Sequence, residues 1–549
     1  MKSGDLLDAA AAEALEFGWL REQIAPAGAY GRRVFGALRA FVPGDEARAA
    51  QAAERIVRAA ATLEPERIDA LARRLRATPD VTPAIARAAA GDVLDDPDFL
   101  ELLRLCDAVR ETDALLAVFP DALRCGGPAL DALAVALEPG RRGGHGFYLD
   151  DAFDRALAQA READARAQAA FETARGRLYE RVARALGREA ITDEQFIVMR
   201  ADLPNGLPPG VRIVREAPTY LVCEIELDED ALAALERREA AREALAHVEE
   251  TVRARLSAIV RDGAADLERT CSALGGADVF LAQVRFAQRY GCTAPEIVED
   301  ACVAFDGGRF LPLEERLRDA GRTYVPISLD LHGTAVVTGP NMGGKSACLR
   351  TCGMIALCAA FGLPVPARRA RVGLFDTIAW LGIGTAAGGD DEGLLSSFAR
   401  EVIHLRVALQ RPTRRPLLLL DEFARTTGPS EGKALLVAVL AEVRRRGACA
   451  LAATHLDGVA EAAGAAHFVV RGLREVPRGI NAGDLRGALE ALARAMDYSV
   501  LPAAGTDAAT SDALALAELL GLDGSVVAAA RAALYAERRA AEKAAPPVE

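Results

Sequence analysis

The sequence predicts an α/β domain with a largely parallel sheet, preceded by a mainly α-helical region that carries a small β insert. Three features predict it. A glycine-rich loop, Thr338-Gly339-Pro340-Asn341-Met342-Gly343-Gly344-Lys345-Ser346, lies between an apolar run at 335–337 and a helix-like run at 347–361. Two later apolar runs, 417–420 and 450–453, end in Asp421-Glu422 and Thr454-His455. Unbroken runs of this kind fit strands buried on both faces of a parallel sheet. Most of the chain ahead of the loop has helical period, the exception being 194–227.

The glycine-rich loop has the strand–loop–helix setting that a phosphate cradle requires. Gly339, Gly343 and Gly344 let the backbone turn successive N–H groups toward an anion, and the following helix adds the positive end of its dipole. Lys345 is placed to reach the outer phosphates of a nucleoside triphosphate, and the Ser346 hydroxyl to bind Mg²⁺. Asp421, at the end of its strand, falls beside that metal, and Glu422 one step further out can polarise an attacking water. His455 ends the last apolar run, where a neutral imidazole can hydrogen-bond the outermost phosphate; taken alone it reads rather as an exposed loop histidine. Ser396-Ser397 follow a glycine- and acid-rich stretch and precede a helical pattern, so they suit a helix N-cap. A helix N-terminus bearing hydroxyls is also a second anion site, and two such sites on one domain suggest a nucleotide held between two copies.

Together these motifs resemble the ATPase of the MutS family, a branch of the ABC-type P-loop ATPases. The Pro340-Asn341-Met342 triplet, Ser397-Phe398-x-x-Glu401, Asp421-Glu422-Phe423-Ala424-Arg425-Thr426-Thr427, Thr454-His455 and Tyr324-Val325-Pro326 each look like a segment of that family over roughly residues 320–475. The resemblance implies ATP and Mg²⁺ as ligands. It implies that Gly339, Pro340, Asn341, Met342, Gly343, Gly344, Lys345 and Ser346 hold the triphosphate, that Ser346 and Asp421 hold the metal, and that Tyr324 stacks on adenine. Glu422, Lys345 and His455 are then the catalytic groups, and Ser397 completes the site of an opposing subunit, in a homodimer or heteromer formed through the ATPase domain. The sequence departs from the family pattern in three places: Ala424 to Pro429 replace its glycine-rich run after the acids, Ala347 replaces a threonine, and an expected arginine near Trp380-Leu381-Gly382 is missing.

Along the chain, residues 1–146 read as a helical scaffold and 147–300 as two long helices flanking a β insert at about 194–227. Residues 301–475 read as the ATPase, and 476–549 as a helical segment for dimerisation. Two long helices around a β insert resemble the family's lever and clamp, and the clamp grips DNA. Here the insert from Asp193 to Asp228 holds three arginines against seven acids, a net of −4. The whole chain carries −13. Phosphate backbones are bound by Lys and Arg, so duplex DNA is disfavoured and a protein-facing tip is easier. No candidate is found for an aromatic wedge that senses a mismatch.

The chain is expected to begin at what resembles the family's core and lever region, without its mismatch-reading domain; that arrangement, the Asp421 to Thr427 run and Met496-Asp497-Tyr498-Ser499 resemble the MutS-like ATPase subunit of the lysine 5,6-aminomutase reactivase. On that resemblance the protein is a chaperone-like factor whose client is a cobalamin- and PLP-dependent aminomutase. The alternative is a DNA-binding MutS paralogue in mismatch repair or recombination. No run of eighteen apolar residues signals a membrane span. The ten scattered cysteines form no C-x-x-C pair, and packed free thiols in a reducing cytoplasm are expected.

Overall fold

The computed structural model describes residues 1, 6–117, 124–143, 146–203, 206–340, 343–382, 397–410, 415–473, 495–503, 514, 517–518 and 522–544. The chain divides into two compact units, residues 74–274 and residues 1–73 with 275–549.

In the 74–274 unit, helix α1 (Arg155–Ala185) and helix α2 (Glu229–Asp262) flank a three-stranded antiparallel sheet. The sheet order is β1 (Gln195–Met199), β3 (Tyr220–Ile225), β2 (Val211–Glu216). Asp154 caps α1 by accepting the Ala156 N–H, and Asp228 caps α2 by accepting that of Ala231. Arg181 pairs with Asp228 at one end of the two helices, and Arg255 pairs with Asp154 at 3.2 Å at the other, so they run antiparallel. One face of the sheet (Phe196, Val198, Leu221, Cys223, Ile225) packs on Leu178 and Val182 of α1. The sequence alone predicts one long helix from 229 to about 274; the structure breaks it at Gly263. Glycine is a poor helix former, and a Cβ at Gly263 would stand 3.2 Å from that of Ala129.

The other unit holds two sheets. The smaller has the order β4 (Glu296–Val298), β8 (Arg369–Gly373), β5 (Cys302–Gly308), β6 (Ile327–His332). The larger has the order β9 (Thr377–Gly382), β10 (Pro416–Asp421), β11 (Cys449–Ala453), β7 (Thr334–Thr338), β12 (Ala466–Leu473), β13 (Met496–Pro502). All its pairs are parallel except β12 with β13. Leu417, Leu418, Leu419 and Leu420 are fully buried because both faces are covered. Helix α3 (Lys345–Ala360) approaches so closely that a Cβ on Gly353 would lie 2.8 Å from Leu419. On the opposite face Leu418 and Leu420 share a core with Leu405 of α4 (Ser397–Gln410) and Leu436 and Leu440 of α5 (Pro429–Arg445). No helix among the described residues is long and apolar enough to cross a membrane. All ten cysteines are buried, and none is in a disulfide.

One buried carboxylate ties the early residues of this unit to the later ones. Asp278 is 3% exposed and accepts the N–H groups of Ala27 (3.0 Å) and Gly28 (2.7 Å), which lead into helix Ala29–Ala37. Gly31 leaves room for it, since a Cβ there would fall 2.1 Å from its Oδ2. Removing the carboxylate strands two buried donors, each worth about 1–3 kcal/mol. Asp278→Ala is therefore expected to cost about 3 kcal/mol of stability, read as a lowered urea midpoint; an unchanged midpoint would show that water replaces the carboxylate.

Candidate nucleotide site

The register of the parallel strands assembles the site. Gly382 pairs with Asp421, Asp421 with Ala453, and Ala453 with Val337. Four strands thus end level, and the segments that leave their carboxyl ends meet at one edge of the sheet, where open α/β sheets bind ligands. Those segments are the glycine-rich loop, the turn after Asp421, and Thr454-His455.

The loop is shaped by contacts that only glycine allows. Gly339 has φ +143°, and a Cβ on it would lie 2.8 Å from the Val470 carbonyl oxygen. Gly344 has φ +98° and starts α3 against the Tyr498 ring, 3.3 Å from the position of an added Cβ. Lys345 is 5% exposed, and its Nζ donates to the carbonyls of Gly339 (2.9 Å) and Pro340 (3.2 Å). Burial lowers its pKa, and the nearby Glu422 and Asp421 carboxylates oppose that shift. An ammonium held by two neutral carbonyls in a dry pocket is a cation available to a phosphate.

Ser346 donates its hydroxyl hydrogen to Asp421 Oδ1 at 2.9 Å. The pair presents hard oxygen donors side by side, the chemistry that suits Mg²⁺ when waters and phosphate oxygens complete its shell. Burial raises the Asp421 pKa, the Ser346 hydrogen bond lowers it, and the Glu422 carboxylate raises it further. A bound dication would favour the charged carboxylate against both its burial and the neighbouring negative charge.

Glu422 lies with Oε1 4.0 Å from Lys345 Nζ and with Oε2 accepting from Arg425 at 2.7 Å. A cleft of about 30 Å³ is lined by Glu422, Arg425, Thr427, Thr454 and His455 among others. That is room for a water between a carboxylate and an imidazole. His455 itself is exposed, while Thr454 is buried and holds the loop by accepting the Leu456 N–H at 3.1 Å.

Tyr324 lies along the flank of α3. Its hydroxyl accepts the Phe310 N–H at 3.2 Å and shares a hydrogen with Thr351 at 3.1 Å. Its ring is half-buried. Asn341, Met342 and the side chain of Ser397 lie outside the described residues, as do most of the glycines and acids ahead of α4.

Two groups at this edge lie in motifs quoted from the sequence but carry no role in that reading. Tyr498 sits on β13, separated from the loop by more than a hundred residues, and backs Gly344. Glu401 reaches from α4 to the turn after Asp421, where it accepts the Ala424 N–H at 2.8 Å. The Ser397-Phe398-x-x-Glu401 and Met496-Asp497-Tyr498-Ser499 segments contain them, but neither segment signals the contact with Ala424 or with Gly344.

Residues 335–536 match the family description MutS domain V. The DNA mismatch repair protein MutS of Rhodopseudomonas palustris (strain HaA2) is 31% identical over 294 residues, 51% of this chain and 30% of that protein. The homonymous protein of Rhodopseudomonas palustris (strain BisA53) is 29% identical over 507 residues, 85% of this chain and 52% of that protein. Endonuclease MutS2 of Clostridium botulinum (strain Loch Maree / Type A3) is 35% identical over 184 residues, 32% of this chain and 22% of that protein. The chain therefore spans about half the length of these relatives or less. These matches support membership of the MutS family.

Proposed function

We propose that this chain is a MutS-type ATP hydrolase that works as a dimer and converts nucleotide turnover into movement of its long helices. The observation that carries the reading is the level ending of β7, β10 and β11, with Lys345, Ser346, Asp421, Glu422 and His455 at one edge of the sheet. The loop N–H groups and Lys345 bind the β- and γ-phosphates, with Lys345 exchanging the Gly339 and Pro340 carbonyls for phosphate oxygens. Ser346 and Asp421 would hold Mg²⁺, which would supply neutralisation of phosphate charge. Glu422 orients the attacking water and takes its proton, and His455 hydrogen-bonds on the far side of the same cleft. Tyr324 faces the base, and Ser397 at the start of α4 completes the opposing subunit's site. Movement requires that ATP bind the closed dimer more tightly than the open one.

For what the movement acts on, the relatives' names point to DNA mismatch repair and to endonuclease action. On that reading the 195–225 sheet meets duplex DNA. A second reading, a chaperone-like reactivating factor for a cobalamin-dependent aminomutase, is favoured by the surface of that sheet. Arg200 is bound to Glu216 at 2.9 Å and Arg212 to Glu224, so these two arginines are already neutralised by acids of the same insert. Ile197 and Met199 on β1 are 53% and 47% exposed, and Ile213 and Val214 on β2 are exposed as well. Exposed apolar groups among acids suit a protein surface better than phosphates.

The discriminating experiment measures ATP turnover with duplex DNA added and, separately, with a cobalamin-dependent aminomutase added. Stimulation by DNA that falls steeply with salt supports the repair reading. Stimulation by the aminomutase, with no salt-sensitive DNA affinity, supports the second. Absence of any ATP turnover would remove the common premise of both.

A further inference from the structure

Glu401 has no part in the reaction as described, yet its surroundings connect it to the reacting carboxylate. It lies one turn into α4 and its side chain is 5% exposed. Oε2 accepts the Ala424 N–H at 2.8 Å, and Oε1 is buried with no hydrogen-bond partner among the described residues. Burial raises its pKa, and the Ala424 N–H pulls it back down. A buried carboxylate left half-satisfied is costly, so a compensating role is expected of it.

The turn it holds is an unusual one. Glu422 has φ +52° and Ala424 has φ +62°. Both are left-handed conformations that side chains disfavour, because Cβ crowds a carbonyl oxygen. Such residues persist where the surroundings over-determine them. The Glu422 N–H is fixed to the Ala453 carbonyl at 2.9 Å, and Phe423 is buried at 1% exposure. Within the turn, the bonds from Arg425 N–H to the Glu422 carbonyl and from Thr427 N–H to the Ala424 carbonyl are both long, at 3.3 Å. Among the described residues, Glu401 supplies the one side-chain acceptor for the backbone N–H groups of 422–427.

We propose that Glu401 is a positioning residue for hydrolysis: by holding the Ala424 N–H it fixes the left-handed turn that aims the Glu422 carboxylate at the phosphate loop. The proposal rests on the reading of Glu422 as the group that acts on water. It also gives α4 a lever on the reaction, since any shift of that helix moves Glu401 and, through Ala424, the direction of Glu422.

The test compares turnover and ATP affinity in the full chain for Glu401→Ala, Glu401→Gln, Glu422→Gln and the double variant Glu401→Ala/Glu422→Gln. Misplacing a reacting group by about 1 Å can cost about 10²-fold. Glu401→Ala is expected to lower kcat by about that factor while ATP affinity stays at the wild-type value. Glu401→Gln, whose amide oxygen still accepts from Ala424, is expected to recover most of the rate. In the double variant the loss should be no greater than in Glu422→Gln alone, because Glu401 acts through Glu422. Should Glu401→Ala fail to fold, Glu401→Asp takes its place, since the shorter side chain withdraws the carboxylate from Ala424. Wild-type turnover in Glu401→Ala, equal losses in affinity and rate, or fully multiplicative losses in the double variant would each overturn the proposal. A wild-type protein that neither binds nor hydrolyses ATP would instead overturn the reading of the phosphate loop, and this proposal with it.

Discussion

Lys345→Ala is expected to lower ATP turnover by about 10³-fold or more. Removing one preorganised charge-stabilising donor from a dry site typically costs about 10²–10³ in kcat, and Lys345 is better placed than most. Its side chain is 5% exposed, so it pays little reorganisation when a phosphate arrives. It also lies 4.0 Å from Glu422 Oε1. Without the lysine, Asp421 and Glu422 stand together with one fewer cation to offset them, and a triphosphate is repelled as well as unheld. The expected result is loss of both affinity and rate, checked by equilibrium binding of a fluorescent ATP analogue and by phosphate release. Lys345→Arg does not rescue, because the planar guanidinium cannot enter a pocket formed by the Gly339 and Pro340 carbonyls. Undiminished hydrolysis in Lys345→Ala would refute the site.

Glu422→Gln should give the opposite combination, in which ATP binds at near wild-type affinity and is cleaved about 10³-fold more slowly. The amide keeps the shape of the side chain and its place beside Arg425, which contacts Oε2 at 2.7 Å. What it loses is the ability to accept a proton from water in the cleft shared with His455. The substitution also removes a negative charge near the phosphates, which favours binding. If two chains close on the nucleotide, this variant accumulates the closed form, seen as a dimer by light scattering when ATP is present. Full turnover in Glu422→Gln would remove Glu422 from its role and leave water activation to another group.

The parts of this site that could be read from the chain are those with a local signature. Gly339, Gly343, Gly344, Lys345 and Ser346 are adjacent, and their order alone specifies a strand, a turn and a helix start. The Leu417 to Leu420 run identifies a strand buried on both faces, and its end locates Asp421 and Glu422. The three strands of the insert were legible for the same reason: alternating and β-branched residues bounded by glycine and proline. Strand order is different in kind. Nothing in residues 334–338 states that they lie between 449–453 and 466–473; that placement follows from crossover geometry and packing. Contacts across sequence are likewise invisible. Glu401 with Ala424, Asp278 with Ala27 and Gly28, and Tyr498 with Gly344 join residues that share no period. Likewise, residues 1–73 group with 275–549 by contact density, although helical period runs unbroken in character through residue 140. The helix break at Gly263 was missed because the apolar period continues across it while the backbone does not.

The central claim is that the loop at 339–346 grips a triphosphate beside Asp421 and Glu422. The most direct measurement is a crystal structure of the protein grown with Mg²⁺ and a non-hydrolysable ATP analogue. The account predicts phosphate oxygens on the N–H groups of residues 343–346, metal on Ser346 and Asp421, and Lys345 Nζ turned from the Gly339 and Pro340 carbonyls onto a phosphate. An analogue bound elsewhere, with Lys345 still on those carbonyls, would contradict it.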